Sequence, residues 1–183
     1  MEKTIAVLLE NGFEEIEAIV PIDILKRLNF NVILVGNEKM VTGGHGLKIE
    51  IDSLIDNLNI DKLDAIVLPG GMPGSTNLRD NPKVTDLVTK MYEAGKLTAA
   101  ICAAPIALEK AGILKNKTCT GYPMPLVKET LAVGNYTGNR VEKDGNIITA
   151  KGPGASFEFA QTIAKALGKG SEVKMLFKNM FIK

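Results

Sequence analysis

The chain has 183 residues, 45% of them hydrophobic and 23% charged, which is typical of a soluble globular protein with a sizeable core. Its 22 basic and 21 acidic residues give a net charge of +1, so we expect neither a nucleic-acid nor a membrane partner. Apolar runs are too short to span a bilayer, and the chain does not start like a signal peptide. Two cysteines without framework spacing indicate a reducing compartment, so we expect a cytoplasmic protein.

Strand-like and helix-like segments alternate with no internal repeat or linker, so we predict one domain over residues 1–183. Short apolar runs predict strands, whereas apolar positions three and four residues apart predict helices. The predicted elements, in chain order, are a buried strand 4–9, a helix 14–28, a strand 30–36, a half-exposed edge strand 46–52, a strand entering a glycine turn 64–71, a helix 82–95, a strand 96–102, a helix 104–112, a hairpin 140–150 around Asp144 and Gly145, and a last long helix 154–168.

Helices between strands act as crossover connections, and these predict a mostly parallel sheet with helices on both faces. In such α/β folds, ligands gather beyond the carboxyl ends of the strands. Three predicted strand ends carry unusual residues: 9–17, the Pro-Gly-Gly turn 69–71, and 101–103. We therefore expect the functional site where these three segments meet.

Cys102 stands where a predicted strand turns directly into a helix. A nucleophile at such an elbow needs small residues two positions to either side, and here these are Ala100 and Ala104. The positive end of the following helix would lower the pKa of the thiol and favour the thiolate. Buried, inert cysteines are common, so spacing alone leaves both interpretations open.

Glu17 lies on an apolar helix stripe with Phe13, Val20 and Ile24 as neighbours. Partial burial there would raise the pKa of its carboxyl and favour a proton-donating form. A protonated carboxyl beside a thiolate could donate a hydrogen bond or move a proton while the sulfur attacks. The alternative is a glutamate whose tip reaches solvent.

The stretch LPGGMPGS, residues 68–75, follows a predicted strand. Its glycines would let backbone N–H groups point into the site, where they could form an oxyanion hole with the N–H of Ala103. It lacks the Gly-Lys-Ser/Thr ending of a P-loop and the spacing of a dinucleotide fingerprint. A glycine turn needed only for steric reasons is the alternative.

Three further features are interpreted mainly as structural. The Gly-Pro-Gly turn 152–154 precedes Ser156, which we predict to cap the last long helix. His45 is the one histidine and is expected in a surface loop, and Cys119 is interpreted as packing, with the alternative that it resolves an oxidised Cys102. We predict no metal site, because the chain has no Cys-x-x-Cys or His-x-x-x-His pair.

Four stretches together resemble the ThiJ/PfpI superfamily, in its DJ-one branch. They are GFEEIEAIVPIDILKR, DAIVLPGGMPGSTNL, AAICAAPIAL and RVEKDGNIITAKGPGASFEFA, and the resemblance runs from residue 5 to about residue 168. It implies a flavodoxin-like three-layer sandwich and a homodimer. It also implies an oxidation-prone elbow cysteine, Cys102, hydrogen-bonded to a protonated Glu17.

The resemblance assigns further roles by position. The family's backbone oxyanion donors fall on Gly71 and Ala103, and Asp23 and Arg27 fall on helix positions near a dimer interface and an anion-binding spot. Many relatives place a histidine near the cysteine, but that position falls here on Gly121 or Tyr122, which argues against cysteine-peptidase chemistry. The remaining expected site-wall or anion-contact residues are Gly70, Tyr122 and Pro153.

These residues favour an enzyme acting on small reactive carbonyls such as methylglyoxal or its protein adducts, of the glyoxalase or deglycase type. Cys102 would be the nucleophile, Glu17 would move the proton, and no cofactor would be required. One alternative is a redox sensor in which Cys102 oxidises to the sulfinate. Another is a chaperone-like dimer whose activity survives replacement of Cys102.

Overall fold

The computed structural model describes residues 2–182 and shows the predicted alternation of strands and helices. The strands are β1 Thr4–Leu8, β2 Asn31–Gly36, β3 Met40–Thr42, β4 Lys48–Glu50, β5 Ser53–Leu54, β6 Ala65–Leu68, β7 Leu97–Ile101, β8 Thr118–Cys119, β9 Asn135–Tyr136, β10 Val141–Asp144 and β11 Ile147–Ala150. The helices are α1 Glu15–Arg27, α2 Gly74–Asp80, α3 Pro82–Glu93, α4 Pro105–Lys110, α5 Pro125–Thr130, α6 Ser156–Ala166 and α7 Gly170–Asn179.

Seven strands form the central sheet, in the order β10-β11-β7-β6-β1-β2-β5. Every neighbouring pair is parallel except β10 and β11, which form an antiparallel hairpin. Along β1, Ile5 and Val7 pack into the core on one face of the sheet, and Ala6 and Leu8 pack into the core on the other. Continuous apolar strands of this kind are needed where both faces of a sheet are covered.

The two faces carry different helices. Leu25 of α1, Phe159 of α6 and Phe177 of α7 pack on one face, whereas Met91 of α3 and Ile106 of α4 pack on the other. This arrangement is the flavodoxin-like three-layer sandwich that the family resemblance implies. Within residues 2–182, no helix combines the length and apolar character needed to cross a bilayer.

The segment 46–52, predicted as a half-exposed edge strand, contributes a strand outside the main sheet. Residues 48–50 form β4, which pairs antiparallel with β3 in a separate two-stranded sheet. The main-sheet edge beside β2 is taken by β5 instead. Alternating apolar and polar residues correctly indicated a half-exposed strand, but this pattern carries no information about which strand is its partner.

The C-terminal part differs from the prediction in two ways. Ser156 is not a cap: it is the first residue of α6, the cap position is Ala155, and the buried Ser156 hydroxyl has no hydrogen-bond partner among the described residues. The helix 154–168 is also not the last one, because α7 follows it. Short helices α2 and α5 were likewise absent from the sequence-based prediction.

Candidate active site at the strand ends

Four neighbouring strands end at one edge of the sheet, and the segment after each contributes to one site. Strand β1 leads into α1, which carries Glu17, and β6 leads into the turn at Gly70. Strand β7 ends immediately before Cys102, and β11 leads into the turn that begins at Gly152. Because β11, β7, β6 and β1 are consecutive in the sheet, these residues converge as expected beyond the carboxyl ends of parallel strands.

Cys102 occupies a strained elbow between β7 and α4. Its φ is +66°, a left-handed backbone conformation that residues other than glycine rarely adopt. Its N–H donates to the Ala150 carbonyl at 2.8 Å, and its carbonyl accepts from the Tyr122 N–H at 2.7 Å, which holds the elbow from both sides. Ala100 and Ala104 are fully buried, so the small residues expected around the elbow lie in close packing.

Glu17 is buried inside the site rather than reaching solvent. Its side chain has no exposed surface, and its Oε2 accepts a hydrogen bond from the Gly70 N–H at 3.0 Å. Its other oxygen, Oε1, is buried without a geometrically satisfactory partner among residues 2–182. The apolar stripe on α1 therefore buries the Glu17 side chain, as the sequence indicates. One carboxyl oxygen, Oε1, is left for a ligand or a proton.

Burial raises the pKa of the Glu17 carboxyl from its ordinary 4.5 to about 7, although the adjacent Cys102 thiol and the Gly70 N–H oppose the change. Burial also raises the pKa of the Cys102 thiol, and the negative charge of an ionised Glu17 raises it further. The expected lowering by the short α4 helix is therefore outweighed. When Glu17 is protonated its charge is absent, and the N–H groups of Gly71 and Ala103 stabilise the thiolate.

The Gly70–Gly71 turn has no room for side chains. A Cβ on Gly70 would overlap Glu17 Oε2 and lie 2.5 Å from the Cys102 Cβ. Gly71 has a φ of +92°, and a Cβ there would lie 2.5 Å from the Gly12 carbonyl oxygen. Glycine is thus required both for conformation and for close approach, and it lets the Gly71 N–H reach the sulfur.

The other predicted site residues lie in two different places. Tyr122 and Pro153 line a cleft beside Glu17. Arg27 does not wall this site within the chain: it lies at the far end of α1, pairs with Asp23 at 2.7 Å, and borders a different cavity near Lys169. Arg27 is ten positions after Glu17 on the helix, about 15 Å at the standard rise.

His45 and Cys119 make their contacts with other parts of the chain. His45 Nδ1 is 2.8 Å from Glu15 Oε2 and 3.7 Å from Glu14 Oε2, and the hydrogen bond with Glu15 raises the pKa of the imidazole. These three side chains could in principle ligate a metal ion, but the hydrogen bond between His45 and Glu15 accounts for their grouping without one. Cys119 is fully buried in β8, and burial raises its pKa to about 11.

Comparison with known proteins identifies the family. The sequence profile of the DJ-1/PfpI family matches residues 3–166. The chain belongs to the DJ-1/PfpI family. Protein dj-1beta of Drosophila melanogaster is 37% identical, with 100% of this chain and 98% of that protein covered. Its crystal structure matches with a TM-score of 0.94 at 36% identity, covering 100% of both chains.

Two further DJ-1/PfpI proteins are similar over nearly the full chain. A crystal structure of a mutant DJ-1 superfamily protein from Salmonella typhimurium matches with a TM-score of 0.90 at 35% identity, covering 99% of each chain. The protein named deglycase PfpI of Pyrococcus furiosus is 33% identical, with 86% of this chain and 95% of that protein covered.

Sequence reasoning missed two members of this DJ-1/PfpI site region, Arg140 and Lys151, which line the cleft beside Glu17. Arg140 and Lys151 flank the hairpin β10–β11, which was predicted only as a structural unit. Their positions at the ends of a hairpin whose second strand borders β7 could have indicated proximity to Cys102.

Proposed function

We propose that this protein is a cofactor-independent enzyme acting on small reactive carbonyls, with Cys102 as nucleophile and Glu17 as proton carrier. The observation that carries the proposal is the burial of Glu17 beside the Cys102 elbow, with a carboxyl pKa of about 7. At neutral pH such a group both gives and takes a proton, which is what a carbonyl isomerisation requires.

Methylglyoxal is the simplest substrate of this proposed reaction. The Glu17 carboxylate takes the Cys102 thiol proton as the sulfur adds to the aldehyde carbon, and then gives this proton to the new oxyanion, forming a hemithioacetal. The Glu17 carboxylate then removes the proton from that carbon and returns it to the neighbouring carbon. The hydroxyl proton of the hemithioacetal passes to the former ketone oxygen, so that the ketone becomes an alcohol and the hemithioacetal becomes a thioester. Water cleaves the thioester, releases lactate and restores the thiol.

Backbone donors support the first step. The N–H groups of Gly71 and Ala103 interact with the Cys102 sulfur, so they are close to the oxygen of any carbonyl that the sulfur attacks. The protein relative named a deglycase is consistent with carbonyl chemistry in this family. Donors fixed by a rigid turn need no rearrangement when charge develops, which is the usual source of oxyanion stabilisation.

Lactate production from methylglyoxal tests the proposal directly. Wild type, Cys102→Ser and Glu17→Gln are compared with heat-inactivated protein, and Cys119→Ser serves as the matched cysteine control. We expect turnover in wild type and Cys119→Ser, with loss of at least about 100-fold in each site variant, the usual size of an acid–base contribution. Wild-type turnover no higher than the inactivated control would refute the enzyme hypothesis.

Oxidation of Cys102 is a second candidate function, favoured by the interaction of the buried Glu17 carboxyl with the Cys102 thiol and by a Glu17 Oε1 without a hydrogen-bond partner among residues 2–182. A thiolate reacts with two molecules of hydrogen peroxide to give the sulfinate and two molecules of water. A protonated Glu17 would then donate a hydrogen bond to a sulfinate oxygen. Mass spectrometry after limiting peroxide distinguishes this function: a stable gain of two oxygens on Cys102, without lactate turnover, would favour it.

A homodimer is proposed from an apolar surface around the start of α1. Ile16, Ile19, Leu47 and Met72 are 50%, 39%, 45% and 43% exposed, and they surround the first turn of α1 and the loops that contact it. Exposed apolar residues that cluster in this way mark interaction sites. Sedimentation equilibrium of wild type and Ile16→Glu tests the proposal, and a wild-type mass equal to one chain would contradict it.

Both cysteines are free, which supports a location in a reducing compartment such as the cytoplasm. Fractionation of cells expressing the natural protein tests this location. Recovery with periplasmic or secreted proteins would contradict it.

A further inference from the structure

A cleft of about 250 Å³ opens beside the buried Glu17 side chain. Gly152 is part of its lining, and a Cβ on Gly152 would lie 4.0 Å from Glu17 Oε1 and 3.2 Å from the Tyr122 ring. Gly152 therefore lies between the cleft and the buried Glu17 Oε1, the carboxyl oxygen that lacks a partner among residues 2–182. Its other lining residues include Pro123, Arg140, Lys151, Pro153 and Ala155.

Two cationic side chains are held at this cleft. Arg140 Nε pairs with Glu158 Oε2 at 2.9 Å, and its Nη2 donates to the Gly154 carbonyl. Lys151 Nζ donates to the Gly138 carbonyl at 3.0 Å. These contacts fix both side chains, yet they leave most of the five guanidinium and three ammonium N–H donors unused.

The charge of this cleft is one-sided. Of the residues that line it, two are cationic and none is acidic. Glu158 partly offsets Arg140, but Lys151 has no carboxylate within 4 Å among residues 2–182. Pro123, Pro153 and Ala155 supply an apolar part of the lining. A ligand matching this surface has a carbonyl at one end, a short aliphatic chain, and an anionic group at the other.

We propose that the enzyme prefers dicarbonyl substrates that carry a carboxylate, which Arg140 and Lys151 bind while Cys102 attacks the aldehyde. This inference rests on the proposed function and adds its substrate class. Charge-assisted hydrogen bonds to a fixed cation are stronger than neutral ones, so the carboxylate contributes to recognition more than an uncharged tail of equal length. Protein adducts on lysine or arginine, which lack that carboxylate, are poorer substrates.

The test compares 4,5-dioxopentanoate with its methyl ester, which has the same reacting carbons and no charge. The reaction adds one water to each, giving 2-hydroxyglutarate or its monoester. We expect kcat/KM for the acid to exceed that for the ester by about tenfold, the effect of one charge-assisted hydrogen bond. In the double variant Arg140→Gln, Lys151→Gln the ratio should fall to about one.

The ratio is measured within one preparation, so a variant that folds only in part still reports it. Lys151→Gln alone is the second variant and should give an intermediate ratio. Lys83→Gln, Lys90→Gln removes two charges from α3 and should keep the wild-type ratio, because these lysines pair with Asp56 and Asp86 away from the cleft. Equal acid and ester values in wild type, or an unchanged ratio in the double variant, would overturn the inference.

Failure of the proposed function is distinguished by a binding measurement that needs no turnover. Titration calorimetry follows 2-hydroxyglutarate binding to wild type and to the double variant. If no substrate is turned over, loss of this binding in the double variant still supports an anion-binding cleft. Absence of binding to wild type, or equal binding to both proteins, overturns it.

Discussion

Glu17 accepts a hydrogen bond from the Gly70 N–H at 3.0 Å across 53 positions of sequence, and this contact ties the first helix to the glycine turn after β6. The same glycine approaches the Cys102 Cβ so closely that no side chain fits between them. Gly70 thereby sets the spacing of the two side chains proposed to do the chemistry. Small displacements at such a position matter, because reacting groups must be held within a fraction of an ångström.

Gly70→Ala should inactivate the enzyme while only partly destabilising the fold. The added Cβ would force Glu17 and Cys102 apart, and overpacking of this kind costs about 1–3 kcal/mol. Gly170→Ala is the matched control, because its added Cβ would meet nothing closer than 3.8 Å at the start of α7. Lactate production and urea unfolding measure both effects. Full activity in Gly70→Ala would show that the spacing is not critical.

Glu17→Gln should make the stability of the fold less dependent on pH. The folded protein holds the Glu17 proton up to about pH 7, whereas the unfolded chain releases it near 4.5. The unfolded state therefore loses its proton first, so wild-type stability falls as the pH rises through this window. The loss amounts to about 3 kcal/mol once the pH is above both values.

Urea unfolding of wild type and Glu17→Gln between pH 4 and 8 measures this difference. The variant should match wild type near pH 4 and gain stability over it as the pH rises, because the glutamine carries no titrating charge. Other groups titrate in both proteins, so they cancel in the comparison. A difference in stability that stays constant across the range would contradict the raised pKa.

The sequence predicted Glu17 and Cys102 more completely than it predicted the residues around them. Periodicity alone placed Glu17 on an apolar face, and small neighbours alone indicated an elbow at Cys102, because both signals are local in sequence. The unfavourable net effect on the thiol pKa could not be predicted, since it depends on burial and on the Glu17 charge. Ser156 was misassigned for a related reason: composition indicates caps but does not fix where a helix begins.

Long-range relationships were the least predictable. The adjacency of β11 to β7, which brings Gly152 and the cleft cations to the site, joins segments about 50 residues apart. No spacing rule in the sequence links these two segments, whereas the family resemblance implies the whole fold. Arg27, which the resemblance places near a dimer interface and an anion-binding spot, borders a different cavity within the chain, so its predicted role stays a prediction.

Replacing Cys102 by glycine should be less destabilising than replacing it by alanine. At a φ of +66° glycine avoids the steric cost of a Cβ, about 1 kcal/mol. Cys119 provides the opposite control: it lies in a strand, where glycine should be worse than alanine by about 0.5–1 kcal/mol. Urea unfolding of the four variants measures both differences, and the same order at the two positions would argue against elbow strain.

Cys102 should react with alkylating agents in the folded protein long before Cys119 does. Cys102 is 9% exposed at the site edge, whereas Cys119 is fully buried. Burial raises the pKa of both thiols, so the expected difference in labelling rests on access to the sulfur and not on the fraction of thiolate. Peptide mass spectrometry after limiting iodoacetamide should therefore find the label on Cys102 in the native protein and on both cysteines in urea. Equal labelling of the native protein would mean that Cys119 becomes accessible by local opening, and its interpretation as an inert core residue would then be wrong.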